Sequence, residues 1–166
     1  MGKRLKYGMI GCGYVSRRHI EAIKSLEETE LKTLCDVDIS RAENFAQEFG
    51  GLKAENDYKK VLSDPEIDVV IICLPTYLHS KVAVESAKRK KHIFLEKPIA
   101  GSLKEANKII DACKNNNIKL CIGHSHRFFP PIQNAKKLIE SGKLGFIHRA
   151  VAFNCYFADL IKESRS

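Results

Sequence analysis

Leu5-Lys6-Tyr7-Gly8-Met9-Ile10-Gly11-Cys12-Gly13-Tyr14-Val15-Ser16 is the stretch that decides how the rest of the chain is read. Leu5–Ile10 is a short apolar run closed by glycine, the pattern of a buried strand. From Val15 to Leu26 the apolar residues Val15, Ile20, Ala22, Ile23 and Leu26 recur at close to helical spacing, so a helix follows at once. Between them lies a turn with glycine at 11 and 13. Gly11 permits the tight bend, and Gly13 lets the main chain approach a ligand with no side chain intervening. Amides at the opening of the helix can then bond negative oxygens, helped by the helix dipole. A dinucleotide pyrophosphate needs this arrangement, and Gly11, Cys12, Gly13, Tyr14 and Val15 are its candidate contacts. Ser16 replaces the third glycine of the strict pattern and is small enough for close helix–strand packing.

A Gly-x-Gly pair is a weak signal until its context is added. Asp36 stands 20 residues beyond Ser16, at the tip of a second apolar run, Leu31–Cys35. A carboxylate there can accept both hydroxyls of the adenosine ribose of NAD and would repel a 2′-phosphate. Asp36 can also be read as an ordinary turn residue, although Asp38, one alternation away, is the better placed helix cap. NAD is the expected cofactor, and the nearby Arg41 keeps NADP open.

Outward from this unit the chain alternates strand and helix. After Leu31–Cys35, Ser40 caps a helix that runs through Phe49 and is ended by Gly50 and Gly51. Leu52–Ala54 is a short strand, and Tyr58–Leu62 a brief helix stopped near Pro65. Val69–Leu74 is unbroken aliphatic and cysteine, as a central parallel strand covered on both faces requires. Leu78–Lys90, Ser102–Asn115 and Pro131–Ser141 read as helices, and His92–Leu95, Ile118–Ile122 and Ile147–Phe157 as strands. Ser102 and Glu105 stand at capping-box spacing. Pro131 opens its helix and Gly142 follows its end. This order predicts an α/β fold, a doubly wound, mostly parallel Rossmann sheet with helices on both faces.

Composition narrows the function classes. The 166 residues are 44% apolar, enough for a globular core. The net charge of +8 invites a nucleic-acid or anionic-lipid partner, but the charges are dispersed. The one dense run, Lys88–Lys91, closes a helical pattern, where cations complement the dipole. No nucleic-acid partner is expected. Six cysteines form no C-x-x-C pair and no Cys/His cluster at metal spacing, so no metal is expected and the thiols read as reduced, buried apolar groups. Met1–Tyr7 is polar and basic with no signal-like apolar stretch behind it. No run approaches the roughly 18 apolar residues of a membrane span. A soluble, cytoplasmic protein without a membrane partner is expected.

Three further segments fall where the fourth, fifth and sixth strands end, the edge at which open α/β sheets bind ligands. They are Cys73-Leu74-Pro75-Thr76-Tyr77-Leu78-His79, Leu95-Glu96-Lys97-Pro98, and Gly123-His124-Ser125-His126-Arg127-Phe128-Phe129-Pro130. With the glycine turn and Asp36, they closely resemble the glucose–fructose oxidoreductase/inositol dehydrogenase family, Gfo/Idh/MocA, over nearly the whole chain. Glu96-Lys97-Pro98 at a strand end is the most specific element. The resemblance implies that Pro75, Thr76 and His79 line the nicotinamide half of the groove and that Glu96 holds the nicotinamide ribose. Lys97 would be the catalytic residue, beside the reacting carbon, suited to polarising a hydroxyl or carbonyl oxygen. Pro98 restricts Lys97 to extended backbone. His79 also admits a structural reading, a helix-start histidine bonded to nearby backbone. Arg127 and His124 are substrate candidates. Nothing in the sequence separates His124 from His126, and Arg127 serves equally well as a tie at the domain crossover.

The resemblance also implies two domains: an NAD(P)-binding Rossmann domain, 1–123, and a crossover, helix and first strand of an incomplete substrate domain, 124–166. Members of the family carry a large open sheet in the second half, whose Asp and His complete the catalytic group. Here the sequence reaches Ile147–Phe157 and a polar tail, Lys162–Ser166, and Asp159 is not in the matching context. Truncation is therefore expected, and with it an inactive chain. A partner chain covering the exposed C-terminal strand, including a second copy in a homo-oligomer, is the alternative. The implied reaction moves a hydride between nicotinamide and a carbon of a sugar, cyclitol or polyol. The rival is a catalytically silent NAD-binding or protein-interaction module.

Overall fold

The structure is a computed structural model that describes residues 4–153. It divides into two compact units, one ending at Gly123 and one beginning at His124.

The first unit is built around six parallel strands: β1 (Leu5–Ile10), β2 (Thr29–Cys35), β3 (Lys53–Glu55), β4 (Val69–Ile72), β5 (His92–Leu95) and β6 (Leu120–Ile122). Their order is β3-β2-β1-β4-β5-β6. The chain winds outward from β1 to β3, then crosses back to place β4 on the other side of β1. Five helices connect the strands: α1 (Tyr14–Lys24), α2 (Ile39–Glu48), α3 (Tyr58–Ser63), α4 (Thr76–Lys88) and α5 (Leu103–Asn115).

The continuous apolar run of β4 is explained by a core on each face. Met9, Leu31, Leu34 and Ile71 pack against Ile20 and Ile23 of α1 and Ala42 and Ala46 of α2. Ile10, Val70, Ile72, Ile93 and Leu95 pack on the other face with Val61 and Leu62 of α3, Val82, Ala83 and Ala87 of α4 and Ile109 of α5. The four longer helices, α1, α2, α4 and α5, each present buried residues at three- and four-residue spacing; in α1 they are Ser16, Ile20 and Ile23. Burying each such aliphatic side chain contributes about 1.5–3 kcal/mol, which lets two layers of short helices hold the sheet.

Helix boundaries follow local chemistry. Asp38, not Ser40, caps α2 and accepts from the Ser40 amide at 3.1 Å, so that helix starts at Ile39. Asp57 caps α3 in the same way. Ser102 caps α5 by accepting from the Glu105 amide. Helix α4 begins at Thr76, two residues before the expected Leu78, because Pro75 supplies a ready-made entry.

The second unit holds a 3-10 turn, Ser125–Phe128, and α6 (Pro130–Glu140). The strand expected over Ile147–Phe157 is corrected here: residues 147–153 carry no strand. A strand exists only through hydrogen bonds to a neighbour, and no ladder partner stands beside this segment among the described residues. Residues 154–157 of it, with Cys155, Asp159 and Lys162–Ser166, lie outside the described residues. No helix among the described residues is long and apolar enough to cross a membrane, and they hold no cluster of His, Cys, Asp and Glu fit for a metal.

Candidate functional site

At β1 the winding reverses, and a cleft of about 570 Å³ opens beyond the carboxyl ends of β1, β2 and β4. This is the position at which a doubly wound sheet leaves a crevice. The strand ends are stitched together there: Gly11 donates to the Cys35 carbonyl at 2.7 Å, and Cys73 to that of Ile10 at 2.8 Å.

The glycine turn sits at the mouth. Gly11 has φ +99°, and a Cβ there would lie 2.3 Å from the Cys73 carbonyl oxygen, so no side chain fits. At Gly13, by contrast, a Cβ would meet nothing within 4 Å. Gly13 is also the N-cap of α1, and no side chain caps that helix. The turn therefore leaves open space against the start of an uncapped helix, a cradle that fits a pyrophosphate and that any larger residue would begin to fill. Ser16 is fully buried and its hydroxyl donates to the Gly13 carbonyl, so serine both packs and ties the turn.

Asp36 faces this cradle. Its Oδ2 accepts from the Cys12 amide at 2.8 Å and its Oδ1 from the Asp38 amide at 3.0 Å. Each oxygen keeps a lone pair for a further donor. Cys12 contributes only backbone: its side chain is buried, with Sγ 3.7 Å from the Cys35 carbonyl. Burial, then the Asp36 charge, push its thiol up to about 12, and Cys35 likewise. Tyr14 and Val15 are exposed on the first turn of α1. Arg41 lines the cleft but pairs with Asp38 at 3.6 Å.

At β5 the carboxylate of Glu96 is boxed in. Oε1 lies 2.8 Å from His19 Nε2, and Oε2 accepts from the Lys97 amide at 3.1 Å. Burial alone would raise the Glu96 pKa. The hydrogen bonds from His19 and the Lys97 amide outweigh it and hold the group below the ordinary carboxylate value. Lys97 is exposed and precedes a cis Pro98.

His79 departs from its expected place. It is 1% exposed, with Nδ1 2.8 Å from the Pro98 carbonyl oxygen and Nε2 2.8 Å from that of Leu74. The ring does not line the cleft; it lies behind it and pins the loop after β4 to the loop after β5. Pro75 lines the cleft, and Thr76 forms the first turn of α4 beside it. His124 and Arg127 are exposed in the second unit, where the Arg127 carbonyl accepts from the Gln133 side chain and His126 stacks on Phe129.

Sequence reasoning missed two groups. His19 lies on the helix after the glycine turn and carries no motif of its own. Asn56, Asp57, Tyr77 and Lys81 also line the cleft. The end of the third strand, just before Asn56, was a usable signal, since it is one more carboxyl edge of the same sheet.

Residues 5–124 match the oxidoreductase family Gfo/Idh/MocA, NAD-binding Rossmann fold. The chain is 33% identical over 148 residues to the uncharacterized oxidoreductase YrbE of Bacillus subtilis, covering 89% of this chain and 43% of that protein. It is 31% identical over 144 residues to myo-inositol 2-dehydrogenase of Thermotoga maritima, covering 87% and 43%. Among solved structures it resembles the WlbA dehydrogenase of Bordetella pertussis in complex with NADH and UDP-GlcNAcA, at 28% identity and TM-score 0.81, over 86% of this chain and 44% of that one. The chain thus spans about two-fifths of the length of the curated relatives it matches. A turn open to a pyrophosphate, a carboxylate facing it and a matched sequence over most of the length agree: the chain belongs to the Gfo/Idh/MocA oxidoreductases and is their NAD-binding Rossmann fold.

Proposed function

We propose that this chain is the nucleotide-binding half of an NAD-dependent oxidoreductase acting on a secondary alcohol or carbonyl carbon of a sugar, cyclitol or related polyol. One observation carries the reading: the Asp36 carboxylate is held by the Cys12 amide of the glycine turn, so that a ribose acceptor and a phosphate cradle form one bonded unit. The amides of Gly13, Tyr14 and Val15 receive the pyrophosphate, and Asp36 receives the adenosine ribose hydroxyls. Its charge disfavours a 2′-phosphate, and Arg41 is engaged with Asp38, so NAD is preferred over NADP. Pro75 and Thr76 border the nicotinamide half, Glu96 accepts from the nicotinamide ribose, and His79 positions the loops that carry these residues.

When bound, nicotinamide supplies the hydride acceptor or donor. Lys97 holds and moves the proton at the substrate oxygen, and Arg127 and His124 are the candidates for binding other substrate oxygens. Turnover also needs a substrate wall, water exclusion and a second proton-transfer group, contributed by chain beyond the Rossmann unit. The coverage of two-fifths of the relatives' length supports this division. Binding and chemistry therefore come apart: residues 1–166 bind NAD and turn over polyols negligibly. Calorimetric titration with NAD and NADP, followed by a polyol panel with and without the remaining half supplied, tests the proposal. Tighter NADP binding overturns the role of Asp36, and robust polyol oxidation by the 166-residue chain overturns the division of labour.

A further inference from the structure

We propose that His19 is a positioning residue for the cofactor's second ribose: through Nε2 it fixes the Glu96 carboxylate in the orientation that accepts the ribose hydroxyls, and so links the pyrophosphate helix to the loop after β5. The inference rests on the reading of Glu96 given above. His19 lies on α1, the helix opened by the glycine turn, while Glu96 follows β5, two strands away from β1. The contact that joins them is 2.8 Å long and part-buried, with His19 20% and Glu96 13% exposed in their side chains.

Both partners are themselves held. The His19 ring meets Phe94 edge-on, with centroids 5.0 Å apart. On the other side of Glu96 stands Gly123 at the end of β6, where a Cβ would lie 3.0 Å from Oε1. The Lys97 amide takes Oε2. A glutamate has three rotatable side-chain bonds, and these contacts restrain them. Because Glu96 is held ionised, its oxygens are acceptors only, and the hydrogen between the two side chains belongs to His19 Nε2. A second lone pair on each Glu96 oxygen remains for donors such as ribose hydroxyls. Removing the imidazole frees the carboxylate to rotate, so a ligand must then order it on binding.

The test uses three probes on the full chain: ADP, which lacks the second ribose, and ADP-ribose and NAD, which contain it. His19→Ala is expected to weaken ADP-ribose and NAD about 10-fold, the scale of one hydrogen bond to a charged group, and to leave ADP unchanged. His19→Gln, whose amide can still donate, is expected to restore most of the loss. Gly123→Ala, which crowds the same carboxylate from the opposite wall, should give the same ribose-selective loss. Equal weakening of all three ligands would show that His19 only supports α1, and would overturn the proposal. So would unchanged ADP-ribose affinity in His19→Ala while Glu96→Ala loses it, an outcome that leaves the reading of Glu96 standing. If Glu96→Ala shows no ribose-selective loss, the reading of Glu96 itself fails and the role of His19 fails with it. Should the alanine variant at 19 not fold, His19→Leu compared with His19→Gln reads the same difference.

Discussion

Gly11 and Gly13 stand two residues apart in one motif, yet the structure predicts opposite consequences for their substitution by alanine. At Gly13, φ is −93° and ψ −172°, extended backbone that any residue adopts, and an added Cβ meets nothing within 4 Å. Lower freedom of the unfolded chain favours the alanine by about 0.4–1 kcal/mol. Alanine is a poorer N-cap than glycine by a similar amount, about 0.5–1 kcal/mol. The two offset, so Gly13→Ala should leave the unfolding temperature nearly unchanged. Gly11 sits at φ +99°, where a non-glycine residue costs about 1–3 kcal/mol. Its Cβ would also stand 2.3 Å from the Cys73 carbonyl oxygen and 2.8 Å from the carbonyl carbon, an overpacking that costs a further 1–3 kcal/mol or so. Gly11→Ala should therefore lose about 2–6 kcal/mol and lower Tm by about 4–24 °C.

Affinity should divide the other way. In the proposed reading, the open side of Gly13 is where a pyrophosphate approaches the start of α1, and a methyl group there would separate it from the amides. Losing one hydrogen bond to a charged group removes about 1.5–3 kcal/mol, or about 10- to 150-fold in the NAD dissociation constant. Thermal unfolding and calorimetric NAD titration of the two variants check both halves. Unchanged NAD affinity in Gly13→Ala would refute the assignment of the turn as a phosphate cradle, and a large loss of Tm there would mean that Gly13 serves the fold.

Asp36→Ala is expected to weaken NAD about 10-fold or more by losing ribose acceptors and freeing the Cys12 amide, and to narrow the gap to NADP; titration with both cofactors checks it. Lys91 is buried and its ammonium donates to the Asp64 and Ile67 carbonyls at 2.5 and 2.7 Å, so Lys91→Met should lower stability by about 1–3 kcal/mol, read by denaturant unfolding. Glu96 is held below its ordinary 4.5, so its stabilising effect is complete above that pH and is lost as pH falls through the folded value. The Tm difference between the native chain and Glu96→Gln should therefore shrink below pH 4.5. Cys12, with its thiol pushed up to about 12 and its side chain buried, should resist iodoacetamide at neutral pH while exposed Cys121 labels, as peptide mapping would show.

The parts of the fold legible in the sequence were those fixed locally. Val69–Ile72 could be read as a central strand because an unbroken apolar run must be covered on both faces. The glycine turn could be read because a strand-to-helix bend leaves few residue choices. Helix starts were less legible, since Asp38 and Ser40 both make acceptable caps and only the completed backbone selects one. His79 shows where motif reading stopped. Its position in the loop was clear from spacing, but whether a ring at a helix start faces a cleft or the carbonyls behind it depends on a loop 19 residues later, after β5. His19 was invisible for the same reason: its partner lies 77 residues away and neither residue's neighbours point to the other. The strand expected at Ile147–Phe157 was a propensity argument, and β-branched and aromatic residues form a strand only when another strand offers them a ladder.

These long-range contacts alter how the site should respond to change. Motifs that read as separate signals are bonded to one another: Asp36 to the glycine turn through the Cys12 amide, the loop after β4 to that after β5 through His79, and α1 to the end of β5 through His19. Each bond joins segments that the fold has already brought together, so in the proposed reading the cofactor would meet acceptors and amides set before it arrives. Preorganisation of this kind raises affinity by sparing the ligand the ordering of side chains and loops. It also couples the positions. Substitutions in residues that share a partner do not add, whereas those at sites more than about 10 Å apart usually do. The Cys12 amide donates to the Asp36 carboxylate, so a change at Asp36 is felt in the glycine turn as well. In the proposed reading, the adenosine-ribose acceptor and the pyrophosphate turn thus act as one element, and the loops after β4 and β5 as a second.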